Sequence, residues 1–219
     1  MQEDFKNQLQ NALGLWRKKG QTVVDQILKE AIRDFQERIS KHGVAVRWTS
    51  IVNLMEELIP EASPKIASIL GKQTSPIANW LGIAVKNWKP YKIELTVSPS
   101  EHLICKSEWQ SIALFAMAET AGRWLIEKHC PPGPLIINVL KVELESFSNS
   151  SSDCTVRCEL EPLEFEKAMA QLLKNNYSEI FLPVMILTKA EVLMSQANFN
   201  FELKWTPHLS YSSDSNLIK

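Results

Sequence analysis

Residues from about Trp88 to Trp205 predict one α+β domain, in which an antiparallel sheet wraps an apolar helix. Three observations predict it. The segment Ile112 to Ile126, IALFAMAETAGRWLI, is apolar almost all round, and a helix without a polar face has to be enclosed. Runs with a period of two, the pattern of half-buried strands, flank it on both sides. The order is strand, helix, two strands, helix, two strands, and a sheet that encloses a rod must curve around it.

Residues 1 to about 85 read as helices. From Gln21 to Lys41, Val24, Ile27, Leu28, Ala31, Ile32, Phe35 and Ile39 recur at helical spacing, and Gly43 supplies a stop. Thr49 to Leu58 is a shorter amphipathic helix through Ile51, Leu54, Met55 and Leu58. Ser63-Pro64 is a cap followed by proline at the first helical position, opening a helix expected to end near Gly71. Ser75-Pro76 repeats the signal ahead of IANWLGIAV.

The period changes at Trp88. Lys92 to Val97 alternates as a strand, which Ser98-Pro99-Ser100 ends. Ser107-Glu108-Trp109-Gln110 fits a capping box, with serine at the cap and glutamine three residues on. The central helix is therefore expected from Ser107 to about Lys128. Its small residues (Ala113, Ala116, Ala118, Ala121, Gly122) leave room for another backbone.

After the Pro131–Pro134 turn, Leu135 to Ser146 puts Leu140, Val142 and Leu144 on one face and Lys141, Glu143 and Glu145 on the other. Ser148 to Asp153 reads as a polar hairpin loop, so Cys154 to Leu160 is expected to pair with the strand before it. Leu163 to Leu173 is a helix packing through Phe165, Met169, Leu172 and Leu173. Ile180 to Thr188 and Glu191 to Trp205 are strands joined near Lys189-Ala190, and a polar tail expected to be disordered follows. The predicted organisation is a helical extension over 1–74, the α+β domain over 75–207 and the tail over 208–219.

The 219 residues carry a formal net charge of −1, so no basic excess exists to neutralise the phosphates of nucleic acid. The N-terminus is charged from its start, unlike a secretory signal, and no apolar run reaches the ~20 residues a membrane span needs. Four cysteines show no zinc-ligand spacing. A cytoplasmic protein with reduced thiols, no metal and no cofactor is expected.

Three stretches carry a family resemblance. IALFAMAETAG is similar to the central-helix pattern of the hot-dog-fold acyl-CoA thioesterases, an apolar, small-residue run leading to a carboxylate and Thr-Ala-Gly. WLGIAVKNWKPYKIELTV resembles the family's entry helix and first strand, and LIINVLKVELESF the strand after the central helix. The likeness covers roughly the last 130 residues and lies nearest the uncharacterised thioesterase-like branch. It implies a curved sheet around a central helix, a homodimer with clefts between subunits, and an acyl-CoA or acyl-carrier thioester substrate. By position Glu119 matches the catalytic carboxylate, as general base or nucleophile. Gln110, Ser111 and Ile112 stand where relatives carry a His-Gly-Gly stretch whose backbone amides hold the oxyanion. The upstream asparagine often found in relatives would fall near Ile104.

Glu119 is the one carboxylate inside the apolar run, and an ionised carboxylate needs a partner when buried. It serves either as a base towards thioester-bound water or as the partner of Arg123, four residues on along the same face. Arg123 can also tune the base. Gln110 and Ser111 either assist the helix-start amides or, for Gln110, complete the cap. His102 and His129 flank the helix and read as loop residues, and His42 and His208 have no supporting context. The serines from 148 to 152 form a loop, with no nucleophile elbow. Trp80, Trp88 and Trp109 read as core or pocket lining. Trp16 followed by Arg17, Lys18 and Lys19 admits a membrane-surface helix, but a packing extension that covers the sheet or the dimer seam is the simpler reading. Thioester hydrolysis and a non-catalytic hot-dog domain that holds an acyl chain or a protein partner both remain open.

Overall fold

The computed structural model describes residues 48–58, 60, 63–130 and 135–205. The helix expected from Gln21 to Lys41, the 131–134 turn, His42, His208 and the tail lie outside the described residues. The elements are α1 (Trp48–Leu58), α2 (Ser63–Thr74), α3 (Pro76–Trp80), β1 (Ala84–Lys89), β2 (Lys92–Val97), β3 (Ile104–Cys105), β4 (Glu108–Trp109), α4 (Ser111–His129), β5 (Leu135–Ser146), β6 (Cys154–Glu159), α5 (Pro162–Asn175), β7 (Tyr177–Thr188) and β8 (Leu193–Trp205). The described residues from Trp48 to Trp205 form one compact unit, so α1 and α2 belong to the same unit as the sheet.

Among the described residues six strands make one antiparallel sheet in the order β1-β2-β6-β7-β8-β5, with β3 and β4 a separate small hairpin. Helix α4 lies against β2, β6, β7 and β8, the wrapped-helix arrangement the sequence predicts. The alternation seen in sequence sets the core: Ile93, Leu95, Val156, Val184, Phe199 and Phe201 are each at most 1% exposed. Burial of a side chain of this size contributes on the order of 2 kcal/mol.

Several local expectations are corrected. Cys154 to Glu159 does not pair with β5: β6 lies between β2 and β7, while β5, at the sheet edge, pairs only with β8 among the described residues. Segment 147–153 is thus a crossover and not a hairpin loop. Burial explains the placement, because β6 is covered along nearly its whole length, as a central strand should be, whereas β5 is mostly exposed. Alternation marks a strand without naming its neighbours. Leu140, expected beside Val142 and Leu144, is 49% exposed because a bulge between Val139 and Lys141 leaves it unpaired.

In the entry region the helix from Pro76 stops at Trp80, and the chain turns through Gly82 (φ 69°) into β1, so Ile83 and Val85 are buried at a strand's start and not on a helix. Helix α2 runs through Gly71 to Thr74. That glycine is no stop signal; the Trp124 ring occupies the place a Cβ would take. The expected capping box is a hairpin turn instead, with Lys106 (φ 50°) and Ser107 (φ 65°) left-handed between β3 and β4. On α5, Phe165, Ala168 and Leu172 face inward, but Leu173 is 69% exposed.

Candidate functional site

Between Ala113 and Lys128 every α4 residue is buried except Phe115, Glu119, Arg123 and Glu127. With Ile112 these recur at three- and four-residue steps, so they form one stripe along the helix. The helix is therefore enclosed on all but one side, a correction to the complete enclosure predicted from its composition. The open stripe has an apolar half, Ile112 and Phe115, and a charged half, Glu119 and Arg123.

Glu119 and Arg123 form the i,i+4 pair. Arg123 Nε and Nη2 both donate to Oε1 of Glu119, at 2.7 and 2.5 Å. Nη1 of Arg123 donates to the Ile137 carbonyl of β5 at 2.8 Å, which fixes the guanidinium against the sheet edge. The Glu119 side chain is 16% exposed, and its Oε2 meets no donor among the described residues. A half-buried carboxylate thus has one oxygen clamped and the other open.

The helix start is held differently from the predicted cap. The Trp109 indole donates to the Ser152 carbonyl at 3.1 Å, tying the β3–β4 hairpin to the crossover. Gln110 is the N-cap but makes no side-chain cap bond. Its amide donates to the Leu103 carbonyl, and its side chain donates to the His102 carbonyl at 3.2 Å. Amides of the first helical residues have no intrahelical acceptor, and Ser111 and Ile112 occupy those positions with exposed side chains. Along the helix axis Ile112 lies about 10 Å from Glu119, at 1.5 Å per residue. About two helical turns of backbone thus separate the residue that carries the carboxylate from the helix-start amides.

The histidines sit away from the carboxylate. His102 is exposed, bonded to Ser100 and to the Trp80 carbonyl. His129 ends α4, about 15 Å along the axis from Glu119, and is not the loop residue expected. Its ring stacks on Tyr91 at 4.3 Å, and its Nε2 accepts from the Tyr91 amide at 3.1 Å. Burial, and then the neighbouring Lys128 charge, push its pKa down to about 4.

The C-terminal end of α4 is fastened by α1. Thr49 and Asn53 donate to the Glu127 and Lys128 carbonyls at 3.2 and 2.8 Å, taking up acceptors that a helix end leaves open. The buried Lys128 ammonium pairs with Glu56 at 2.8 Å and lies 5.0 Å from the Trp88 ring. Trp48, Trp88 and Trp124 pack together as core, whereas Trp80 is 43% exposed. Cys154 and Cys158 share the inward face, and burial pushes the Cys154 thiol up to about 12 and raises Cys158 further. Among the described residues no cluster of His, Cys, Asp or Glu is arranged to hold a metal.

One feature escaped the sequence reading: a shallow groove of about 430 Å³ on the sheet face away from α4, lined by Lys141, Glu143, Glu179, Phe181, Asn198 and Asn200. The visible signal was Phe181, an aromatic out of phase with the inward residues Ile180 and Leu182.

No family model matches the sequence, and no curated protein matches it significantly. Solved structures do match. A Pseudomonas aeruginosa protein of unknown function, described as a probable thioesterase, superposes with a TM-score of 0.57 at 14% identity, covering 65% of this chain and 95% of that one. A Chlorobaculum tepidum protein of unknown function also gives 0.57 at 14% identity, over 65% and 97%. A Haemophilus influenzae thioesterase gives 0.50 at 16% identity, over 65% and 92%. The chain has the hot-dog fold found among thioesterases. Among the described residues no helix is long and apolar enough to cross a membrane.

Proposed function

We infer that the protein is an acyl-CoA or acyl-carrier thioester hydrolase acting as a cytoplasmic homodimer, with Glu119 as its catalytic carboxylate. The observation that carries this is the open Oε2 of Glu119 on the accessible stripe of an otherwise buried helix. Arg123 orients the carboxylate through Oε1 and leaves Oε2 for water. As general base, Glu119 takes a proton from water; the resulting hydroxide adds to the thioester carbonyl, the C–S bond breaks, and the thiolate leaves with that proton. As nucleophile, Glu119 attacks the carbonyl directly and expels the thiolate, and water then hydrolyses the resulting anhydride, freeing the carboxylate and the acid and supplying the thiolate's proton.

The oxyanion donors in this reading are the Ser111 and Ile112 amides of a second copy, since the chain's own lie too far along α4. Strand β5 is the sheet edge next to the stripe, through the Arg123 bond to Ile137, and an edge strand offers unpaired backbone groups to another chain. Four free thiols suit a reducing compartment.

A second reading, a hot-dog domain that holds an acyl chain or a protein partner without chemistry, is favoured by two observations. Arg123 already satisfies part of Glu119, and the Gln110–Ile112 stretch lacks the glycines of active relatives.

Turnover of an acyl-CoA panel separates them. Hydrolysis lost in Glu119→Gln supports the enzyme; binding without turnover, unchanged by Glu119→Gln, supports the module. The composite site has its own test. Ser111→Pro removes one amide at the first helical position, where proline fits a helix. Mixed with Glu119→Gln, it should restore about a quarter of wild-type activity, because half the dimers are mixed and each holds one intact site.

A further inference from the structure

Resting on the hydrolase reading, we propose that Phe115 is the residue that fixes acyl-group size, restricting the site to short acyl chains. Phe115 is the half-buried aromatic of the open stripe, one helical turn before Glu119. Its ring lies 5.8 Å from Phe199, which stacks on Phe201 at 5.2 Å and 18°. Phe199 and Phe201 are fully buried. Phe201 also closes the sheet against the helix at Gly122, where an added Cβ would sit 2.9 Å from its ring. The column Phe115–Phe199–Phe201 therefore fills the space between α4 and β8 beside the carboxylate, and an acyl chain does not pass inward there while Phe115 keeps its place.

The symmetry of the composite site puts Phe115 at the same obstacle twice. If Glu119 of one copy faces residues 111 and 112 of the other, the two-fold axis passes between the two α4 helices, level with the midpoint of these residues and so beside Phe115. Each phenyl ring then stands next to both sites. It forms the outer wall of the acyl space that its own column already closes from within. A thioester held at Glu119 meets the Phe115 ring one helical turn away, about 6 Å along the axis. Removal of the ring opens a slot floored by Phe199.

The test compares kcat/KM for a series from acetyl-CoA to palmitoyl-CoA in wild type, Phe115→Leu and Phe115→Ala. Wild type should favour the shorter acyl groups. Phe115→Ala should move the optimum to longer chains and raise the long-to-short ratio by about tenfold or more, the discrimination that a few methylenes in an apolar pocket supply. Phe115→Leu, close to Phe in volume, should move it part of the way and guards against a folding defect, which far-ultraviolet circular dichroism monitors. If every chain length falls in parallel in both variants, or wild type already prefers palmitoyl-CoA, Phe115 does not set the size. That failure differs from failure of the hydrolase reading, in which wild type turns over no member of the series and Glu119→Gln changes nothing.

Discussion

Acidification tests the packing at the far end of the central helix. His129 is neutral in the fold because burial, and then the neighbouring Lys128 charge, disfavour its protonated form, while its Nε2 accepts the Tyr91 amide. In the unfolded chain the same imidazole takes a proton near 6.5; in the fold it resists until about 4. Between those values the unfolded state binds more protons, so stability falls as pH drops, is full above about 6.5 and has lost this contribution below about 4. The pKa difference corresponds to about 3 kcal/mol at most, and partial solvent access to the ring reduces that to roughly 2 kcal/mol.

His129→Phe keeps the stack, removes the titration and costs about 1 kcal/mol at pH 7 for the lost acceptor. Urea unfolding of both proteins from pH 7 to pH 4 should show curves that cross: wild type more stable near neutrality, the variant more stable at the acid end. Carboxylates titrate alike in both proteins and cancel in the difference. A stability difference constant over the whole range would refute the assignment of a buried, neutral His129.

Two further substitutions test how the neighbouring elements are fastened. Lys128 is buried and paired with Glu56, whose side chain is 23% exposed. Glu56→Ala, which strands the buried ammonium, should cost about 3–5 kcal/mol in urea unfolding. Lys128→Met leaves a carboxylate that can turn to water and should cost less; equal losses would contradict the asymmetry. Gly71→Ala should destabilise by about 1–3 kcal/mol although alanine is the better helix former by about 1 kcal/mol. The Trp124 ring fills the Cβ position and is itself held by Trp48 at 5.0 Å. A rise in thermal midpoint for this variant would show that the ring can give way.

What the residues revealed in advance depended on whether the cause was local. The apolar run from Ile112 to Ile126 and the alternating strands made the wrapped helix legible, because burial acts on every residue of an element and leaves its period in the sequence. The neighbour of β6 was not legible. The hairpin reading rested on a short polar loop, but pairing is decided by which strand can be covered on both faces, and β6 is while β5 is not. Gly71 and the Ser107–Gln110 stretch misled for a related reason. A glycine that makes room for tryptophan and a glycine that ends a helix look the same, as do a serine in a left-handed turn and a serine at a cap.

The candidate site divides along the same line. Glu119 stood out as an acid where the helix should have none, and its partner Arg123 followed from a four-residue step; both are properties of one helix. The groups that would complete the chemistry are not. Ser111 and Ile112 offer backbone amides, which no side-chain identity announces, and in their own chain Ile112 lies about 10 Å along the helix axis from residue 119. In the hydrolase proposed above a second copy supplies those amides. The Arg123 clamp on Oε1 leaves Oε2 without a donor among the described residues, and that free oxygen is what the proposed chemistry uses.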